Sequence, residues 1–148
     1  MLVRITSGSY DPHRKLYQFI ARQLLSVRTK IRVIPGATSS GHPSYALEAQ
    51  LENLSDKSVV LQAIDLNVKP YIRAHSLNAW ESKVAAKPLL NPGDVLQVAY
   101  LLTPNPDAER PEETKDSRLA LLQMAVTWRA NMGEQGHLST GWLSARRR

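Results

Sequence analysis

Residues 119–143 constrain the fold more than any other part of the chain. They contain the longest apolar run, which predicts a strand, followed by a turn at Gly133 and Gly136 and a short returning strand. Alternate side chains form two sets that are both largely apolar, as is typical of a central strand covered on both sides. The two glycines bracket the reversal, where positive φ angles are needed. The two sets are Leu119, Leu121, Gln123, Ala125 and Thr127, and Ala120, Leu122, Met124, Val126 and Trp128.

Several earlier segments alternate apolar and polar residues, as half-buried strands do. Residues 24–34 set a basic face against an apolar one, residues 45–54 and 59–68 alternate similarly, and residues 95–102 follow a turn. About seven short strands without a convincing helical period predict an all-β, immunoglobulin-like antiparallel β-sandwich. Trp128 is the candidate central packing tryptophan.

The remaining segments are predicted to be turns and loops. Residues 2–20 have the pattern of a strand hairpin. Residues 70–87 are expected to be irregular, with Trp80 packing against the sandwich. Residues 103–117 combine proline with many acidic side chains, which is typical of a mobile surface loop.

The net charge of +6 is unevenly distributed along the chain. Residues 1–36 sum to +6, residues 37–117 to −4, and residues 118–148 to +4. Basic ends suggest one alternative function, a basic β-sandwich that binds nucleic acid or an anionic membrane. Arg28 and Lys30 lack interleaved aromatic residues, so a base-stacking platform is not indicated, and a solvated strand face is the simpler interpretation.

The sequence contains no recognisable catalytic or metal-binding motif. Without cysteine it has no disulfide or thiolate site, and no apolar run approaches the roughly 20 residues of a membrane-spanning helix. A cytosolic protein without a cofactor or metal is the simple expectation. Glu134 and His137 could be drawn as half of a hydrolase pair, but no serine or threonine has a nucleophile-elbow context. The histidines are scattered at spacings that do not suit metal ligation: His13, His42, His75 and His137.

The central strand ends in a segment that contains Trp128, Arg129, Asn131, Gly133, Glu134, Gly136, Leu138 and Thr140. This segment resembles one in the subunit 13 family of the TRAPP (transport protein particle) complex. In that family an apolar strand runs into Trp, a basic residue and Asn-x-Gly-Glu-x-Gly-x-Leu, before a strand that contains Thr. Residues 15–34, 47–54 and 89–102 are similar to other strands and turns of the family, in the same order.

The resemblance implies a non-catalytic scaffold or adaptor subunit of a vesicle-tethering and Rab-activating complex. Such a subunit acts in Golgi and autophagic membrane traffic and is cytoplasmic, peripheral at Golgi or transport-vesicle membranes. Its expected partners are other TRAPP subunits and, indirectly, Rab GTPases, with no direct nucleic acid contact and with membrane contact only through the complex. The candidate partner contacts are Arg129, Glu134 and His137, whose side chains should reach solvent, and the fold-motif residues are Trp128, Asn131, Gly133, Gly136 and Thr140.

Family members are longer than this chain and have a β domain on each side of the central one. The resemblance therefore implies a fragment or truncated form. Residues 1–22 would be a strand hairpin left from the preceding β domain, residues 23–145 the immunoglobulin-like sandwich, and residues 146–148 a basic tail.

Overall fold

The computed structural model describes residues 2–3, 21–22, 24–35, 41–81, 86–111, 118–130 and 133–146, and most of these residues form strands. They contain no α-helix, and one 3₁₀ turn spans Ala79–Glu81. The strands are β1 (Leu2–Val3), β2 (Ala21–Arg22), β3 (Leu25–Ile34), β4 (Ser44–Asn53), β5 (Val59–Val68), β6 (Ile72–Ser76), β7 (Leu89–Leu90), β8 (Val95–Pro104), β9 (Arg118–Ala130), β10 (Gln135–Ser139) and β11 (Leu143–Arg146).

Two antiparallel sheets make up the sandwich. Sheet I has the order β3-β4-β8-β6, and sheet II has the order β10-β9-β5-β7, with β11 pairing with β9 beyond the end of β10. In chain order these strands correspond to A, B, E and D in sheet I and to C, F and G in sheet II of a constant-type immunoglobulin domain. The predicted all-β, immunoglobulin-like sandwich is confirmed. β1 and β2 form a separate antiparallel pair.

The core lies between the two sheets and follows the predicted alternation most closely in β4. There Tyr45, Leu47, Ala49 and Leu51 are all buried, while Glu48 is exposed. Opposite them, sheet II contributes the buried apolar residues of β5, β9 and β10, which include Leu61, Ile64, Leu122, Met124, Val126, Trp128 and Leu138.

β9 is the longest strand of the described chain and is flanked on both edges, as predicted for a central strand. The prediction that both of its faces are covered is wrong. Leu143 of β11 pairs with Leu122 and the next residue, Ser144, pairs with Ala120, so β9 contains one extra residue, Leu121. This bulge reverses the alternation of side chains along β9. Odd positions face the core before this bulge and even positions after it, which leaves Gln123 and Thr127 only half-buried.

A second bulge lies in β5, between Leu61 and Ala63 in its pairing with β9. Gln62 is the extra residue, and it moves the core-facing side from Leu61 to Ile64. Both bulges therefore lie in sheet II, on neighbouring strands, where they change which side chains point outward.

Three further expectations require correction. Residues 70–87 are not irregular throughout, since Ile72–Ser76 forms β6 at the edge of sheet I, although Trp80 packs against the core as predicted. Residues 103–104 belong to β8 rather than to a loop. Gly133 has the expected positive φ of 85°, but Gly136 does not and lies inside β10.

Parts of some predictions fall outside the described residues. These are the turn and second strand proposed for residues 4–20, residues 112–117 of the acidic segment, Asn131, and the last two arginines. Arg146 lies within β11, where it pairs with Arg118.

Candidate protein-interaction surface

Trp128 and Gly136 of the sequence motif form a cross-strand pair. They are directly opposite in the β9–β10 register, and Trp128 is only 4% exposed. A Cβ atom added to Gly136 would collide with the indole atoms Cε2, Nε1 and Cζ2 of Trp128. The ring therefore lies on the glycine backbone, and the two residues pack against each other. Trp128 occupies the F-strand position, whereas the packing tryptophan of antibody domains is on strand C.

Thr140 extends the pairing between β9 and the chain that leaves β10. Its Oγ1 accepts a hydrogen bond from the Met124 N–H at 3.0 Å, and its own N–H donates to the Met124 carbonyl at 2.8 Å. The side chain thus replaces a ladder acceptor where the chain passes from β10 to β11.

The two other well-matched motif segments, residues 47–54 and 89–102, meet at Asn53. This side chain is 1% exposed, and its Nδ2 donates to the carbonyls of Lys57 at 2.7 Å and Leu90 at 2.9 Å. Its Oδ1 accepts from the N–H of Ser55 at 2.9 Å. Its main chain bonds to Asp94 and Gly93. Sequence reasoning missed that Asn53 joins two turns.

The three candidate partner contacts are exposed at one end of sheet II. Arg129 and His137 project from neighbouring strands, and Glu134 lies in the turn between them. Arg129 Nη1 donates to the Gly133 carbonyl at 3.4 Å, and the Glu134 carbonyl accepts from the Ala130 N–H at 2.7 Å. The exposed positions agree with the expectation that these side chains reach solvent.

The hydrolase alternative requires contact between Glu134 and His137. The hydrogen bond found for the imidazole instead joins His137 Nε2 to Ser139 Oγ at 3.0 Å, two residues along the same exposed strand. Both partners lie on an open sheet surface. A catalytic base is normally held by a third, orienting group. The bond between His137 and Ser139 instead joins two exposed side chains of one strand.

Arg129 and His137 belong to a larger surface, the outer face of sheet II. In the part opposite the core, small side chains, Ala63, Ala125 and Thr127, lie on adjacent strands and are only half-buried. Formal charge in this part is confined to Asp65 and Arg129, whereas Arg118 and Arg146 are exposed beyond it, at the β9–β11 end of the sheet. The face comprises Val60, Ala63, Asp65 and Asn67 of β5, Gln123, Ala125, Thr127 and Arg129 of β9, and Gln135, His137 and Ser139 of β10.

Polar side chains on this face bond to one another across strands. Asn67 Nδ2 donates to Gln123 Oε1 at 3.1 Å. At the other end, Gln135 Nε2 donates to Gln62 Oε1 at 2.9 Å, and Gln62 is the bulge residue of β5. Sequence reasoning missed these residues because the bulges decide which positions point outward.

The outer face of sheet I has a different character. It carries exposed charges on successive strands, with Arg32 and Glu48 paired at 3.5 Å and Arg73 and Asp107 at 3.2 Å. An open depression of about 590 Å³ runs over its centre and is bordered by Arg28, Lys30, Glu48, Gln50, Leu77 and Gln97. Charges are depleted at the centres of protein interfaces, so the outer face of sheet II is the better candidate docking surface.

Within the described residues, no group of three or more His, Cys, Asp or Glu side chains converges at metal-binding distance. His75 Nε2 instead bonds Thr103 Oγ1 at 3.1 Å. None of the helices found in these residues has the length and hydropathy to cross a bilayer.

Comparison with known proteins gives one family for most of the chain. Residues 25–147 match the family described as trafficking protein particle complex subunit 13, middle domain. A Caenorhabditis briggsae homologue of that subunit is 28% identical over 137 residues, which cover 93% of this chain and 33% of the relative. The Xenopus laevis subunit is 25% identical over 147 residues, covering 94% of this chain and 34% of the relative.

The fold itself is found in a solved structure of low sequence identity. The ApaA protein from Bordetella pertussis superposes with a TM-score of 0.55 at 14% identity, over 82% of this chain and 91% of that one. At this identity the likeness shows a common fold. The chain spans about a third of the length of the curated relatives it matches. The family match covers both sheets of the sandwich, and the chain therefore belongs to the trafficking protein particle complex subunit 13 family, as a counterpart of its middle domain.

Proposed function

We propose that this domain is a non-catalytic docking unit of the TRAPP complex. It contacts other TRAPP subunits and so serves, indirectly, the activation of Rab GTPases in Golgi and autophagic membrane traffic. It works at the cytoplasmic side of Golgi or transport-vesicle membranes, reaching them through the complex. Membership of a family named for a trafficking particle supports the assignment.

The single observation that carries the docking role is the contrast between the two outer faces. The outer face of sheet II places small and uncharged polar side chains at its centre, where Asp65 and Arg129 are the only formal charges. Arg118 and Arg146 lie beyond this centre, at the β9–β11 end. The outer face of sheet I is exposed and charged. A partner that covers the first face desolvates few charges, so the cost of association is low there.

Arg129, Glu134 and His137 would border this contact at the end near the β9–β10 turn. All three are exposed, and arginine is among the residue types enriched at interface hot spots. A polar border around a small-residue centre is the usual anatomy of a protein interface.

A pull-down with matched variants tests the proposal. Tagged residues 1–148 are incubated with cytosol at moderate salt, and bound proteins are identified by mass spectrometry. Thr127→Arg places a long cation at the centre of the outer face of sheet II and should abolish recovery of TRAPP subunits. Gln97→Arg places the same side chain on the exposed outer side of sheet I, and recovery should persist.

The other outcomes are equally informative. Equal recovery by both variants would refute the assignment of the face while keeping the docking role. Failure of the unchanged chain to retain any TRAPP subunit would contradict the docking role itself. Circular dichroism and thermal melting of each variant separate loss of contact from loss of fold.

A further inference from the structure

β3 lies at the edge of sheet I and is ten residues long. It pairs with β4 at ten successive positions, from Leu25 opposite Asn53 to Ile34 opposite Ser44, without a register shift. In the described part of the chain, no strand is hydrogen-bonded to its other side, although β11 passes alongside it. A long, regular edge of this kind presents N–H and C=O groups to which a further strand can bond.

The inner side of this edge is incompletely covered. Val27, Thr29 and Ile31 point toward the core but are only half-buried, and Val33 at the end of the strand is 43% exposed. The equivalent residues of the neighbouring strand β4 are buried almost completely. An added strand with apolar side chains at alternate positions would cover this exposed apolar surface.

The outer side of the same edge is basic. Arg28, Lys30 and Arg32 are exposed and alternate with the apolar residues. Glu48 of β4 pairs with Arg32 at 3.5 Å, and within the described residues neither Arg28 nor Lys30 forms an ion pair. Directly opposite like charges repel across strands, so this edge disfavours a second copy of itself and favours an acidic strand.

We propose that β3 accepts an extended segment of a partner protein in which acidic residues alternate with apolar ones, by addition as a fifth strand to sheet I. The main-chain bonds supply the pairing, and the two-residue period of a strand sets the side chains. Acidic residues then lie beside Arg28, Lys30 and Arg32, and apolar residues lie beside Val27 and Ile31. This inference rests on the proposed docking role and adds the chemistry of one partner segment.

Binding of synthetic peptides to residues 1–148 tests the inference without any TRAPP component. A fluorescein-labelled peptide of alternating Glu and Val should bind saturably by fluorescence anisotropy at low salt and weaken as salt is raised. A peptide of alternating Lys and Val should not bind. Two further Glu–Val peptides are N-methylated at alternate amides, one at the Glu residues and the other at the Val residues. Each keeps its charges but loses the N–H donors of one edge, and the peptide methylated on the edge that bonds to β3 should lose binding.

Variants of the protein provide the second arm. Arg28→Glu together with Lys30→Glu should weaken the Glu–Val peptide by about tenfold, since each reversal exchanges an attractive cross-strand pair for a repulsive one. Arg73→Glu together with Lys87→Glu reverses two exposed cations, one on β6 at the opposite edge of sheet I and one just before β7, and should leave the affinity within about twofold. Hydrogen exchange should show bound peptide protecting the β3 amides that face away from β4.

Specific results would overturn the inference. These are the absence of saturable binding, equal binding of both N-methylated peptides and the parent, or equal weakening by the two double variants. Because the pull-down reports on sheet II and TRAPP subunits, and the peptide assay on β3 alone, failure of one is distinguishable from failure of the other.

Discussion

The side-chain amide of Asn53 donates a hydrogen bond of 2.9 Å to the main-chain carbonyl of Leu90, 37 residues further along the chain. The same nitrogen bonds the Lys57 carbonyl, and Oδ1 accepts from the N–H and Oγ of Ser55. Asn53 therefore joins the β4–β5 turn to the β7–β8 turn at one end of the sandwich. It is the single buried polar residue found in the described chain.

Asn53→Ala should lower the free energy of unfolding by about 2–4 kcal/mol, because it leaves buried carbonyls without donors. Urea denaturation measures the change. Asn67→Ala is the matched control: its amide bonds Gln123 on an exposed face, so its cost should stay within about 0.5 kcal/mol. Equal costs for the two substitutions would show that the Asn53 bonds do not stabilise the fold.

Gly136→Ala should destabilise the domain by about 1–3 kcal/mol, because the new Cβ would collide with the Trp128 indole. The test is a double-mutant cycle with Trp128→Leu, in which the cost of Gly136→Ala should shrink once the large ring is absent. Strict additivity would contradict the proposed contact. Gly133→Ala meets no atom within 4 Å and should cost about 1–2 kcal/mol through its φ of 85° alone, irrespective of the residue at 128.

Thr140→Val should cost about 1–3 kcal/mol, since an isosteric methyl removes the acceptor for the Met124 N–H. Thr140→Ser keeps the oxygen and should cost clearly less. Thermal unfolding compares the two variants, and amide exchange at Met124 should speed up only in Thr140→Val. A stability of Thr140→Val equal to that of the unchanged protein would exclude this role for the hydroxyl.

Alkaline pH should destabilise the domain through Tyr100. Burial raises the pKa of this phenol well above its ordinary value near 10, and its hydrogen bond of 2.9 Å to Glu81 Oε1 acts in the same direction. In the unfolded chain the phenol ionises from about pH 10 upward, while in the folded protein it stays protonated. The contribution is therefore complete below pH 10 and is lost above it, at about 1.4 kcal/mol per pH unit.

The measurement is the free energy of unfolding in urea between pH 9 and pH 11, for the unchanged protein and Tyr100→Phe. The variant cannot ionise at this position, so its stability should fall less steeply over that range. Parallel slopes for the two proteins would show that Tyr100 does not carry the pH dependence.

Strand positions with a regular two-residue period were predictable from the sequence. Residues 45–51 alternate without interruption, and the structure buries Tyr45, Leu47 and Leu51 as expected. The two-residue period did not predict which side chains are buried where a bulge intervenes. In β9 the extra residue Leu121 makes both alternating sets look buried, and a single sequence gives no sign that the alternation changes phase there.

The candidate site was less predictable for the same reason. The exposed positions of Arg129 and His137 followed from the turn, but the surface to which they belong requires the register of three strands. β6 was missed because Ile72–Ser76 is short and mostly polar, as an edge strand can be when only one side packs.

By its composition, its alternating apolar residues and its tryptophan–glycine motif, the sequence alone determined an all-β sandwich and pointed to the TRAPP subunit 13 family. These properties are local, since they depend on the spacing of neighbouring side chains. The tertiary structure alone decided the pairing of Asn53 with Leu90, the contact of Trp128 with Gly136 and the division into a charged outer face and one with a nearly uncharged centre. Such features arise from strand register between segments distant in sequence, and register is fixed only when both sheets bury their apolar sides against each other.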